Sequence, residues 1–153
     1  MHYQQKIQDC FTLSARRQPS APAIITDEVL ITYAELDAAS ERLAIELQSR
    51  NIKIEESIGV LTDRSADLPA AFLAILKAGG VYVPMAADLP ADRLANMAEQ
   101  AGIRRLIVLD GIVIPPALGK SLLSNGCGKL SDAVIRPEEL PASGTGADRK
   151  SVV

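Results

Sequence analysis

The sequence predicts an α/β fold in which helices alternate with mostly parallel strands. Three observations support this fold class: helical and strand-like segments alternate over the first 110 residues, the connections between them are short, and the strands are continuously apolar. Strands of that kind are usually buried on both faces, as in a parallel sheet covered by helices. With 153 residues, 48% of them hydrophobic, the chain can fill one sizeable core.

The first predicted elements are a helix over residues 5–18, which Pro19 ends, and short strands at 23–26 and 30–31. A second helix begins at Thr32, because Thr32 and Glu35 have the spacing of a capping box. Apolar residues at helical spacing continue this helix to about residue 51.

A strand at 57–61 leads to a third helix, which Ser65 or Asp67 caps and Gly79 ends. Pro69 lies in its first turn, where a missing N–H does no harm.

The next strand covers 81–83 and is closed by Pro84. A helix from Pro90 to Gly102 and a strand at 106–109 follow. Beyond Asp110 the pattern weakens, and only 133–135 resembles a strand.

Composition excludes several classes of function. Sixteen Lys and Arg against 19 Asp and Glu give a net charge of -3, which argues against a nucleic-acid partner. The one histidine is His2, and Cys10 and Cys127 are too far apart in sequence for a readable metal site. The longest uncharged run in the middle, 68–76, is far shorter than the roughly 20 residues of a membrane span. Since no apolar signal core follows the N-terminus, we expect a cytoplasmic protein with no membrane partner.

Three glycine-containing segments invite comparison with phosphate-binding loops. Residues 126–129 (Gly-Cys-Gly-Lys) lack both the following Ser or Thr and the earlier glycine of the nucleotide-binding pattern, so a solvent loop is favoured. Residues 143–146 (Ser-Gly-Thr-Gly) have no preceding strand, which favours a linker. Residues 77–80 (Lys-Ala-Gly-Gly) suit a helix C-terminus, where the lysine complements the helix dipole.

Asp63 and Asp110 each follow a predicted strand and would share one edge of a parallel sheet, where α/β proteins usually bind ligands. Two such carboxylates could hold Mg²⁺ in a small binding or phosphoacceptor signalling module, although turn-forming aspartates are the favoured interpretation. The arginines nearby are interpreted as solvated; they are Arg64, Arg93, Arg104 and Arg105.

Two longer motifs resemble a known family. Residues 31–36 (Ile-Thr-Tyr-Ala-Glu-Leu) are similar to the first core motif of the amino-acid adenylation domains of nonribosomal peptide synthetases, Leu-Thr-Tyr-x-Glu-Leu. Residues 76–84 (Leu-Lys-Ala-Gly-Gly-Val-Tyr-Val-Pro) closely resemble the second. The resemblance covers about residues 7–110. It departs after Pro84, where the family usually has an apolar residue and then Asp, whereas here Met85 is followed by Ala86 and the aspartate, Asp88, comes two places later. The motif positions, whose role in the family is mostly structural, are Thr32, Tyr33, Glu35, Leu36, Leu76, Lys77, Ala78, Gly79, Tyr82, Val83 and Pro84.

This resemblance implies an N-terminal portion, over residues 1–147, of an enzyme that uses ATP and Mg²⁺ to form an acyl-adenylate. Such an enzyme loads the acyl group onto the phosphopantetheine of a partner carrier domain, and the rest of the adenylation domain and neighbouring carrier and condensation domains are the implied partners. The family's catalytic and cofactor-binding residues have no counterparts here, so the resemblance implies no catalytic, cofactor or metal residue in these 153, and no activity of the chain alone. Residues 148–153 (Asp-Arg-Lys-Ser-Val-Val) are what a sequencing adapter read through to a stop codon would encode, and we expect a non-native tail there.

Overall fold

The computed structural model describes residues 6–140 and the backbone of residues 150 and 151. Helices and strands alternate over most of this part of the chain, as the sequence predicts. The helices are α1 (Ile7–Arg17), α2 (Tyr33–Ser49), α3 (Leu68–Lys77), α4 (Ala91–Ala101), α5 (Pro116–Ser124) and α6 (Leu130–Ala133), with a 3-10 turn at Pro137–Glu139. The strands are β1 (Pro22–Ile25), β2 (Val29–Thr32), β3 (Ser57–Thr62), β4 (Val81–Ala86), β5 (Arg105–Val108), β6 (Val134–Ile135) and β7 (Lys150–Ser151).

The main sheet has four strands in the order β4-β3-β5-β6, and every neighbouring pair is parallel. This confirms the predicted fold class. A smaller antiparallel sheet has the order β1-β2-β7, with the backbone of residues 150–151 paired to Val29 and Leu30. Residues 150–151 fall within the expected non-native tail, and the other tail residues lie outside the described part.

Helices cover both faces of the main sheet. On one face, α2 and α3 enclose a core of fully buried residues that includes Leu47, Ile58 and Ile75. On the other face, α4 and α5 enclose a second core that includes Leu61 and Leu122. The side chains of successive β3 residues are therefore buried on opposite faces of the sheet, which is why this strand is apolar along most of its length.

Strand β4 extends past the residue predicted to close it. Val81 N donates to the Glu56 carbonyl at 2.8 Å, and Ala87 N donates to the Thr62 carbonyl at 3.0 Å. Odd-numbered β4 residues thus direct their N–H groups toward β3, so the ring nitrogen of Pro84 faces away from it, and no sheet hydrogen bond is lost. The prediction that Pro84 ends the strand was wrong for this reason.

Helix α5 was not predicted, because Pro115, Pro116 and Gly119 suggested irregular structure. Pro116 is the first residue of the helix, a position that suits proline. A Cβ on Gly119 would lie 3.4 Å from Leu130 Cδ1, so the glycine permits close packing of α5 against α6.

Among the described residues, none of the helices combines the length and the apolar character that a membrane span requires.

Candidate functional site at the carboxyl edge of the sheet

The first motif starts α2 and attaches it to α1 and to the hairpin formed by the antiparallel strands β1 and β2. The Thr32 hydroxyl accepts a hydrogen bond from Glu35 N at 3.2 Å, as an N-cap should. The Tyr33 ring lies 5.9 Å from the Phe11 ring of α1, and Leu36 is buried in the cluster that also holds the hairpin residue Ile31. These contacts join the start of α2 to α1 and to β2.

The second motif fastens α3 to α2 through a nearly buried ammonium group. Lys77 Nζ donates to Asp37 Oδ1 at 2.8 Å, to Ser40 Oγ at 2.8 Å and to Glu41 Oε2 at 3.2 Å. The Lys77 side chain is only 11% exposed, and its Nζ also lies 6.0 Å from the centre of the Phe11 ring. We call these groups the Lys77 cluster. The prediction that Lys77 serves the dipole of its own helix missed this longer-range role.

The rest of the second motif turns the chain tightly from α3 into β4. Gly79 has a φ of +85°, the left-handed conformation predicted for the helix end. A Cβ on Gly80 would lie 2.9 Å from Ile58 Cδ1 and 3.2 Å from the Glu56 carbonyl oxygen. Tyr82 then packs edge-on against Phe72 at 5.0 Å, and its burial raises the pKa of the phenol.

The carboxyl edge between β3 and β5 is the place where the topology favours a ligand. From β3 the chain crosses through α3 to β4 on one side, and from β4 it crosses through α4 to β5 on the other side. Because α3 and α4 lie on opposite faces, the connections diverge at this point and open a crevice.

Two cavities occupy that crevice, and both are lined by Asp67 and Asp110. The larger has a volume of about 520 Å³, and its apolar lining includes Leu43 and Leu140. The smaller has a volume of about 470 Å³ and extends to the β1–β2 turn. The charged residues of the two linings are Asp27, Glu28, Arg42, Arg64, Asp67, Asp110 and Glu138. Carboxylates outnumber guanidinium groups, so the crevice is unsuited to a polyanion.

The structure does not bring the two predicted metal ligands together in these cavities. Asp110 lines both cavities and has a left-handed φ of +55°, whereas exposed Asp63 lines neither. Within the described residues, no group of three or more His, Cys, Asp or Glu side chains could hold a metal ion. Asp67, which sequence reasoning considered only as a helix cap, takes the place predicted for Asp63.

Sequence reasoning also overlooked Arg42, a cavity residue whose position on α2 carries no motif signal. Two of the arginines interpreted as solvated bind backbone instead. Arg104 donates to the Gly126 carbonyl at 3.2 Å, and Arg105 donates to the Arg50 carbonyl at 3.1 Å. Their side chains therefore hold loops in place.

The glycine-containing segments make no phosphate loop in the described structure. Gly126 and Gly128 have left-handed φ values of +92° and +83° in the connection between α5 and α6. Gly126, Gly128 and Lys129 are exposed and only Cys127 is buried, so the segment is the surface loop that was predicted, fixed at its centre by the cysteine. The other candidate loop, 143–146, lies outside the described residues.

Comparisons with known proteins agree with the motif geometry. A family model described as "AMP-binding enzyme" matches residues 11–150. Tyrocidine synthase 3 of Brevibacillus parabrevis is 32% identical over 133 residues, which cover 87% of this chain and 2% of that protein. Surfactin synthase subunit 2 of Bacillus subtilis is 36% identical over 102 residues, which cover 67% of this chain and 3% of that protein.

Solved structures give the same result. A nonribosomal peptide synthetase, FmoA3, in its AMPPNP-bound form matches 95% of this chain and 14% of its own, with a TM-score of 0.74 and 26% identity. The N-terminal subdomain of Klebsiella oxytoca NpsA also matches over 95% of this chain and 35% of its own, with a TM-score of 0.70 and 27% identity. The chain thus spans a small part of each relative.

Proposed function

The chain belongs to the AMP-binding enzyme family, and we propose that it is an N-terminal portion of an amino-acid adenylation domain of a nonribosomal peptide synthetase. The observation that carries this proposal is the match of 95% of the chain to a synthetase structure at a TM-score of 0.74. The N-terminal subdomain of NpsA also matches 95% of this chain, which supports a position in the N-terminal part of such a domain.

The whole enzyme is proposed to activate an amino acid with ATP and to pass the acyl group to a carrier domain. Tyrocidine synthase 3 and surfactin synthase subunit 2 are both far longer than this chain, which supports neighbouring carrier and condensation domains as partners.

The described residues do not themselves fit ATP or its Mg²⁺. The carboxyl-edge crevice has five carboxylates against two guanidinium groups, and a triphosphate would be repelled there. No described set of three acidic, His or Cys side chains could hold the metal. We therefore assign these residues a scaffold role, in which the two motifs fix α2, α3 and β4 relative to each other.

A chimeric enzyme tests this proposal. Residues 7–140 replace the matching segment of K. oxytoca NpsA, and ATP–pyrophosphate exchange is measured with the host's own substrate. We expect exchange within about tenfold of the host, because a scaffold segment changes the transition state only indirectly. The same chimera carrying Lys77→Met is the matched control, and it should lose more activity together with thermal stability.

The chain alone is the second arm, and it should catalyse no exchange. A chimera that folds, by circular dichroism and a cooperative thermal transition, but has no exchange would contradict the proposal. Substrate-dependent exchange by the 153-residue chain alone would contradict the scaffold role.

A further inference from the structure

Asn125 follows the last residue of α5, and its side chain joins this helix to the connection between α4 and β5. Its Nδ2 donates to the Ala98 carbonyl at 3.0 Å and to the Ile103 carbonyl at 2.9 Å. A side-chain amide nitrogen has two N–H donors, so both are used. Ala98 and Ile103 are fully buried, and water therefore cannot take the place of either hydrogen bond in the folded chain.

The residue after Asn125 is glycine for a separate reason. Gly126 has a left-handed φ of +92° where α5 ends, and its N–H donates to the Leu123 carbonyl at 3.0 Å. A side chain at that φ would be strained. Packing thus favours asparagine and helix termination favours glycine at adjacent positions, and residues 125–126 are the one Asn-Gly pair in the sequence.

An Asn-Gly pair is chemically labile, because glycine has no side chain to shield its backbone nitrogen. In an open chain, Gly126 N attacks Asn125 Cγ to form a cyclic imide. The Cγ–Nδ2 bond breaks, and the amide nitrogen leaves as ammonia with the proton that Gly126 N gives up. Water then opens the imide at either carbonyl, which leaves aspartate or isoaspartate. The reaction consumes one water and releases one ammonia, and it needs no other reactant.

The folded geometry opposes ring closure. The Asn125 amide is held by its two carbonyl acceptors, and the N–H of Gly126 is engaged by Leu123. The Asn125 ψ of -1° eclipses Gly126 N with the backbone nitrogen of Asn125, whereas ring closure needs Gly126 N to eclipse Asn125 Cβ. Gly126 is exposed, so water is at hand whenever this turn opens. Deamidation should therefore follow opening of the turn.

We propose that Asn125 is a deamidation site that the fold protects, and that its conversion releases α5 from the α4–β5 connection. The product carboxylate has no N–H to donate and would face two buried carbonyl oxygens, which lose their hydrogen bonds. It also places a negative charge at the C-terminal end of α5, which the helix dipole disfavours. A turn that has opened and reacted thus loses the interaction that closed it.

The chemical part of the proposal is tested in guanidinium chloride, where folding has no influence. The 153-residue chain is incubated, and mass spectrometry of its peptides follows each asparagine. Asn125 should lose its amide at least about tenfold faster than Asn51 and Asn96, because isoleucine and methionine follow those two and hinder the attack. Gly126→Ala is the matched control, and it should remove most of this difference.

The protection is tested in the chimera that carries residues 7–140 within NpsA, so that a host domain surrounds the segment. Deamidation of Asn125 is measured beside hydrogen exchange of the Gly126 amide, in buffer and in guanidinium chloride. In buffer it should be at least about tenfold slower, and slowed in proportion to exchange, since both need the turn to open. The same proportionality should hold in the 153-residue chain, whatever fraction of it is folded.

The consequence of the modification is tested with the substitution that reproduces its product. Asn125→Asp should lower the thermal midpoint of the chimera by at least about 2 °C. Asn96→Asp makes the same change of charge at an exposed position of α4, and it should shift the midpoint by less than about 1 °C. These measurements do not depend on ATP–pyrophosphate exchange, so they are independent of the proposed activity.

The proposal is overturned if Asn125 is no more labile in guanidinium chloride than Asn51 and Asn96. It is also overturned if Asn125 in the chimera loses its amide as fast in buffer as in guanidinium chloride, or if slow exchange accompanies fast deamidation in either sample. Equal midpoints for Asn125→Asp and Asn96→Asp would contradict the release of α5.

Discussion

Replacing Lys77 with methionine should destabilise the chain strongly, because the Lys77 cluster joins α2 to α3. The substitution keeps the aliphatic stem beside Phe11 but removes the ammonium group from Asp37 and from the fully buried Ser40. It leaves a buried hydroxyl and a half-buried carboxylate without this donor.

The expected magnitude follows from the exposure of each partner. Hydrogen bonds to charged groups contribute about 1.5–3 kcal/mol each, and the bond to Ser40 belongs in that range. The Asp37 side chain is 34% exposed, so hydrogen bonds from water replace part of the interaction that it loses with Lys77. The contact with Glu41, whose side chain is 61% exposed, adds about 0–1 kcal/mol. We expect Lys77→Met to lose about 2–4 kcal/mol of unfolding free energy.

Urea unfolding followed by circular dichroism measures this loss. The free energy of unfolding of a small protein falls by about 1–3 kcal/mol for each molar increase in urea concentration. A double-mutant cycle with Asp37→Asn should give a coupling of about 1–2 kcal/mol, and Glu41→Gln should change stability by less than about 1 kcal/mol. A loss below about 0.5 kcal/mol for Lys77→Met, or a coupling near zero, would refute the reasoning.

Three further substitutions test single features of the fold. Thr32→Ala removes the α2 cap and should cost about 1 kcal/mol in urea unfolding, whereas Thr32→Ser should retain most of it; equal losses would contradict the cap. Gly59→Ala places a Cβ 2.8 Å from Met85 Sδ and 2.9 Å from Leu106 Cδ1, so it should lower stability by about 1–3 kcal/mol, and an unchanged thermal midpoint would argue against this close packing. Burial raises the pKa of Tyr82 in the folded chain. The stability linked to this phenol is therefore fully present below the ordinary tyrosine pKa. As pH rises from there through the pKa of the folded chain, the phenol of the unfolded chain ionises first, and the stability falls. Absorbance at 295 nm should show a late phenolate component that Tyr82→Phe removes, and its persistence in that variant would disprove the assignment.

The parts of the fold that could be predicted are those where local pattern and tertiary packing agree. The β3 strand is buried at consecutive positions, and its unbroken apolar run indicated this directly. The start of α2 was predicted correctly because Thr32 caps it through its own side chain. Such signals need only a few neighbouring residues, so sequence alone contains them.

The parts that could not be predicted depend on contacts between distant residues. Pro84 lies inside a strand because β4 has a neighbour on one side only within the described residues, a fact that only the strand order reveals. Lys77 reaches α2 across a separation of 40 residues to Asp37, and nothing in its local sequence identifies that partner. Asp67 takes the place of Asp63 at the carboxyl edge because the chain turns through Arg64 in a left-handed conformation before α3 begins.

Two polar residues of the motifs, Thr32 and Lys77, make their hydrogen bonds within and between helices. A motif that binds substrate would direct its polar side chains into a cavity, whereas Lys77 directs its ammonium group to α2 and Thr32 caps its own helix. The carboxylate residues that line both cavities, Asp67 and Asp110, lie outside both motifs. Substitutions at Thr32 and Lys77 should therefore act first on stability and only through stability on activity.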